Sequence, residues 1–107
     1  SGEASKSGVT PAELPALARA VAALPGLRLR GLMCIPEATD DLPRLRAQFA
    51  CLPTLQAALA ADGLMLDTLS MGMSADLELA VACGSTLVRV GTAIFGGRSA
   101  SAPLATA

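Results

Sequence analysis

The sequence has no tryptophan, no tyrosine and no histidine, only two phenylalanines, and a single lysine, Lys6. Without histidine it lacks the side chain that most often works as a general base near neutral pH, and the commonest ligand of a metal. Cys34, Cys51 and Cys83 form no CxxC pair. Their odd number and wide spacing argue against a disulfide framework and for reduced, buried thiols in a cytosolic protein. Basic residues are scarce as well: seven arginines and one lysine are scattered along a chain of formal net charge −1, so no stripe exists to follow a nucleic-acid backbone. The longest apolar stretches, such as LeuAlaValAlaCys at 79–83, fall far short of the roughly 20 residues of a membrane span. No signal peptide opens the chain, so a cytoplasmic location without membrane attachment is expected.

What is abundant is small apolar side chains. Hydrophobic residues make up 52% and charged residues 16%, a globular balance, but aromatics are only 2%. The core must be assembled from Ala, Leu, Val and Met. Ten glycines and seven prolines break the chain into short elements. ThrProAlaGlu at 10–13 reads as a capping box, with Thr10 as N-cap and Pro11 in the first helical position. The helix it opens carries Leu14, Leu17, Val21 and Leu24 on one face and stops at Pro25-Gly26. Residues 27–35 read as a strand closed by Pro36. Asp40 or Asp41 caps a second helix whose Leu42, Leu45, Phe49, Leu52, Leu55 and Leu59 recur every three or four residues up to Gly63, with a bend expected at Pro53. Strands at 64–69 and 86–90 enclose a helix at 74–83.

This α-β-α-β-α-β order, with strands that are almost continuously apolar, calls for a parallel sheet with helical crossovers. Three strands leave such a sheet incomplete, with long edges open to pairing. In parallel α/β sheets ligands bind beyond the C-terminal ends of the strands, which directs attention to two segments. SerMetGlyMetSerAlaAsp at 70–76 ends one strand and places Ser74 at the N-cap of the next helix, a ready anion site; the plain alternative is that Ser74 only caps. Asp76 and Glu78 suit that helix dipole and would repel a phosphate unless they turn away. In the second segment, 88–97, Arg89 stands within an apolar strand, so it needs an acceptor: a ligand, solvent at an exposed strand end, or Asp67. Gly91 allows close backbone approach, and Thr92 offers donors to a phosphate oxygen. Met33, Met71 and Met73 either line a slot for a flat ring or fill the core. Lys6, in GluAlaSerLysSerGly, reads as a surface residue of an open loop.

SerMetGlyMetSerAlaAspLeuGlu at 70–78 and GlySerThrLeuValArgValGlyThrAlaIlePheGly at 84–96 closely resemble the signature of the pyridoxal-phosphate homeostasis family. LeuArgLeuArgGlyLeuMetCysIlePro at 27–36 and GluAlaSerLysSerGlyVal at 3–9 resemble two further family segments in the expected order. The resemblance implies an α/β fold, the C-terminal part of a (β/α)8 TIM-type barrel like the alanine racemase N-terminal domain, incomplete here. It further implies a partial barrel at 1–98 followed by a disordered tail at 99–107, with pyridoxal 5'-phosphate at the barrel mouth. By the same resemblance Ser74, Gly91 and Thr92 hold the cofactor phosphate, Arg89 faces the pyridine nitrogen, and Met73 and Met33 lie near the ring. The family lysine that anchors the cofactor covalently belongs to an early strand, and nothing here matches that segment. The expected function is therefore non-catalytic cofactor carriage and homeostasis, with weak binding by this chain. Two alternatives stay open: a fragment of an amino-acid racemase, which needs a lysine and an opposing tyrosine, and a half-barrel that self-associates through its edges around an anion site.

Overall fold

A computed structural model describes residues 1–97; the tail expected at 99–107 lies outside the described residues. The elements run α1 (Leu14–Ala22), β1 (Gly31–Met33), α2 (Leu42–Ala61), β2 (Thr68–Met73), α3 (Leu77–Ala82), β3 (Leu87–Arg89) and α4 (Thr92–Phe95). The alternation expected from the sequence is present, with a short fourth helix that was not foreseen. The three strands form one sheet in the order β1-β2-β3, and both pairings are parallel. Leu32 stands opposite Leu69, and Ser70 opposite Leu87, with a register irregularity between Ser70 and Met73.

The core lies between the sheet and α2. Asp41, not Asp40, caps that helix: its carboxylate accepts from the Arg44 N–H at 3.1 Å. The apolar stripe then turns Leu45, Phe49, Leu52 and Leu59 onto Leu32, Leu69, Met71 and Ala80. Phe49 and Met71 are completely buried, and burying such a side chain stabilises by roughly 1.5–3 kcal/mol. The helix runs unbroken through Pro53, although the ring removes the N–H that would have bonded the Phe49 carbonyl.

Several boundaries differ from those read in the sequence. Thr10 accepts from the Glu13 N–H at 3.2 Å, as a capping residue should, yet the regular helix begins only at Leu14, with Glu13 as N-cap. Pro15 has no N–H for the Pro11 carbonyl, so the first turn cannot propagate. The strand expected over 27–35 is confined to Gly31–Met33, the residues that pair with Thr68, Leu69 and Ser70. The strand expected over 64–69 likewise moves to Thr68–Met73. Gly31 permits the close pairing: a Cβ there would stand 1.8 Å from the Thr68 carbonyl oxygen. Gly72 holds φ at +101°, and a Cβ there would come within 2.7 Å of the Ala80 methyl, so this glycine lets α3 lie directly on β2.

At the sheet's open side, Leu87, Val88 and Val90 are exposed, as are Ile94 and Phe95 on α4. No helix among the described residues is long and apolar enough to cross a membrane. Nor do the described residues include a cluster of His, Cys, Asp and Glu suited to a metal. The three cysteines are unpaired and half-buried.

Candidate functional site

Parallel pairing carries the last residues of all three strands, Met33, Met73 and Arg89, to one end of the sheet. There the two segments singled out in the sequence meet. Ser74, immediately after β2, accepts through Oγ from the Ala93 N–H in the first turn of α4 at 3.1 Å. Ser74 and Thr92 line one open cleft of about 680 Å³ together with Met73, Lys6 and the loop 35–40.

The bond to Ala93 corrects the assignment of Ser74 as a helix cap. That place belongs to Asp76, whose carboxylate turns back to accept from the Met73 N–H at 2.8 Å and so bridges the β2–α3 turn. Of the two carboxylates that threatened to repel an anion, Asp76 is thus engaged with the backbone. Ser74 faces the other way, toward α4.

Arg89 also departs from one of its alternatives. Asp67 is held by Arg30 through two hydrogen bonds of 3.0 and 2.8 Å, which with the Thr68 hydroxyl bring its carboxyl from 3.8 down to about 2. Arg30 and Asp67 sit where β1 and β2 begin, and Arg89 sits where β3 ends, so parallel pairing keeps them at opposite ends of the sheet. Arg89 instead spans the sheet end: its Nη2 donates to the Cys34 carbonyl at 2.9 Å. Its Nε is buried without any hydrogen-bond partner. A buried guanidinium nitrogen in that state is costly, and an acceptor placed against it would remove the cost. Burial pushes the neighbouring Cys34 thiol above its usual range, although the Arg89 charge opposes the shift.

Gly91 precedes α4 with φ −122° and ψ −72°, outside the left-handed region, and a Cβ built there meets nothing within 4 Å. Gly91 is not among the residues that line the cleft. Met73 lines the cleft, whereas Met33, 59% exposed at the end of β1, does not, and Met71 belongs to the core. Lys6 is not the open-loop surface residue expected. It is partly buried, paired with Glu3, and lines the cleft. Sequence spacing gave no means of folding the N-terminal loop back to this point.

The cleft offers hydroxyls at Ser74 and Thr92; Arg89, with its buried unsatisfied Nε, is not among the residues that line it. The two hydroxyls suit a phosphate oxygen as acceptor. The carboxylates of Glu37, Asp40 and Asp76 also border the cleft. Asp76 is tied to the Met73 N–H, and Glu37 is paired with Arg44.

Residues 2–99 match the family described as alanine racemase, N-terminal domain. The chain belongs to that family. Among curated members it is 59% identical over 103 residues to the pyridoxal phosphate homeostasis protein of Pseudomonas aeruginosa, spanning 96% of this chain and 44% of that one. It is 54% identical over 101 residues to the protein of the same name from Vibrio cholerae, spanning 94% and 43%. Of the solved structures, PipY of Synechococcus elongatus with PLP bound aligns with a TM-score of 0.76 and 42% identity, over 85% of this chain and 44% of PipY. A protein of unknown function from Bifidobacterium adolescentis aligns with a TM-score of 0.81 and 44% identity, over 89% and 39%. This member of the alanine racemase N-terminal-domain family thus spans less than half the length of the curated relatives it matches.

Sequence reasoning missed the Cys34 carbonyl and the Ala93 amide as partners of Arg89 and Ser74, because backbone groups leave no mark in side-chain patterns. It also missed the loop 35–40 as a wall of the cleft, for which the clustered Pro36, Thr39 and Asp40 were the available signal.

Proposed function

We propose that the chain is the C-terminal part of a (β/α)8 barrel that binds pyridoxal 5'-phosphate as a non-catalytic carrier. The cofactor lies at the strand ends, with its phosphate on Ser74, Gly91 and Thr92 and its pyridine nitrogen toward Arg89. The observation that carries the reading is the cleft at the strand ends in which Ser74 and Thr92 meet, with Ser74 tied to the Ala93 N–H. When bound, the cofactor supplies an aldehyde for amines and a conjugated ring that accepts electrons.

The chain's own groups suit holding better than turnover. Arginine stays protonated at any working pH, so it disfavours a proton on the pyridine nitrogen and donates a hydrogen bond to it instead. Ser74 receives the Ala93 N–H on one lone pair and keeps its own proton for an anion oxygen. Racemisation would need two acid/base groups on opposite faces, and among the described cleft residues the one amine, Lys6, is already paired with Glu3. The exposed apolar residues of β3 and α4 suit a sheet that continues into further barrel strands. Met73 borders the ring on this reading, and Met33, off the cleft wall, packs in the remainder of the barrel. Three unpaired cysteines suit the reducing cytoplasm.

The test is titration of the chain with pyridoxal phosphate, pyridoxal and inorganic phosphate, followed by amide chemical shifts. Weak saturable binding of pyridoxal phosphate is expected, with shifts at Ser74, Thr92 and Ala93 that phosphate reproduces in part and pyridoxal does not. Equal affinity for pyridoxal, or no saturable shift at those amides, would refute the assignment.

A further inference from the structure

The loop 35–40 faces the proposed cradle across the cleft, and its attachments explain why it stays there. Its start is fixed where the Cys34 N–H donates to the Ser70 carbonyl at 3.2 Å, and where the Cys34 carbonyl takes the Arg89 guanidinium. Its end is fixed by the Asp41 cap and by the Asp41 N–H donating to the Thr39 hydroxyl at 3.1 Å. In the middle, the Ala38 backbone amide meets the Glu3 carboxylate, and Glu37 is held from α2. The Glu37 N–H donates to Gln48 Oε1 at 2.9 Å, and the Glu37 carboxylate is held by Arg44. Gln48 and Arg44 lie one turn apart on α2, with Gln48 one residue before the fully buried Phe49, so the anchor is as rigid as the core beneath it. Ile35 and Pro36, held between Cys34 and Glu37, present apolar surface to the cleft.

We propose that this loop is the ring-side wall of the cofactor site and that Gln48 is its positioning residue, acting from behind through the Glu37 amide. Arg44 adds an electrostatic part: it neutralises a carboxylate that would otherwise face the cleft meant for an anion. The inference rests on the pyridoxal-phosphate reading of the same cleft and adds what meets the ring as opposed to the phosphate.

Gln48→Met keeps the length and apolar stem of the side chain and removes the acceptor, whereas Gln48→Glu keeps an oxygen for the Glu37 N–H. The affinities of the chain and both variants for pyridoxal phosphate and for inorganic phosphate are to be measured. Gln48→Met should weaken pyridoxal phosphate about fivefold, the size of one net hydrogen bond, and leave inorganic phosphate unchanged, with Gln48→Glu restoring most of the loss. In the unmodified chain, hydrogen exchange at the Glu37 amide should slow with pyridoxal phosphate and not with phosphate, a readout that needs no variant to fold. Equal loss for both ligands, no loss, or unchanged exchange at Glu37 overturns the inference while leaving the phosphate cradle intact. If the unmodified chain takes neither ligand, the binding reading itself fails and this inference falls with it.

Discussion

Replacing Gly72 with alanine tests the joint between β2 and α3 that positions Ser74. Two costs apply. A non-glycine residue held at φ +101° is strained by about 1–3 kcal/mol. The new methyl would also stand 2.7 Å from the Ala80 Cβ, 3.2 Å from the Leu77 Cα and 3.4 Å from the Val88 Cγ1, and overpacking of that kind costs about 1–3 kcal/mol more. The expected loss is about 2–6 kcal/mol, against the 5–15 kcal/mol or so that holds an ordinary domain together. Two other glycines separate the contributions. Gly63 has φ +88° and open space around it, so Gly63→Ala should cost the strain alone, about 1–3 kcal/mol. Gly91 has neither a positive φ nor a neighbour, so Gly91→Ala should stay within about 0.5 kcal/mol. Urea unfolding followed by far-ultraviolet circular dichroism gives all three values. Equal losses at Gly72 and Gly63 would refute the packing argument, and a wild-type midpoint for Gly72→Ala would refute the strain argument as well.

Gly91→Ala should nevertheless weaken pyridoxal phosphate binding, since its methyl would enter the space assigned to the ligand; unchanged affinity in a shift titration removes Gly91 from the cradle. Replacing Ser74 with alanine and Thr92 with valine together should reduce that affinity more than Arg89→Gln does, and the reverse ranking by calorimetry would mean that the roles are interchanged. Phe49→Ala should cost about 3–5 kcal/mol in the same urea assay, because the ring is wholly buried between α2 and the sheet. The Asp67 carboxyl is lowered in the folded chain from 3.8 to about 2. Its contribution is therefore present above the unfolded value and is lost as pH falls from near 3.8 toward 2. Stability measured against pH should show a shallower acid limb in Asp67→Asn, by a small amount that shrinks further in high salt because the pair is exposed.

The elements that pack against the core were the ones written most plainly in the sequence. The spacing of Leu45, Phe49, Leu52 and Leu59 could be satisfied only by a helix with one buried face, and those four residues are buried together. Strand limits were less legible. Leu64, Met65 and Leu66 have the composition of a strand, but ladder pairing needs a neighbour and none stands opposite them, so β2 starts at Thr68. The fourth helix, at four residues, is too short to generate a period. At the candidate site, side-chain chemistry pointed to Ser74, Arg89 and Thr92, while the partners of Ser74 and Arg89 were main-chain groups of Ala93 and Cys34 that only tertiary structure brings near. The alternative pairing of Arg89 with Asp67 failed for a topological reason. Opposite charges attract in any sequence, but parallel strands assign them to opposite ends of the sheet.

The hydrogen bond from Arg89 to the Cys34 carbonyl joins positions 55 residues apart and reaches from β3 past β2 to β1. It can close only when both strand pairs have found register, because a slip of either displaces the guanidinium from that carbonyl. A ligand that accepts from the adjacent Nε therefore recognises chains in which the whole sheet has formed, and passes over those in which one edge has come away. Binding at this point would report on folding, and by linkage would draw frayed molecules back into the intact sheet in proportion to the ligand present.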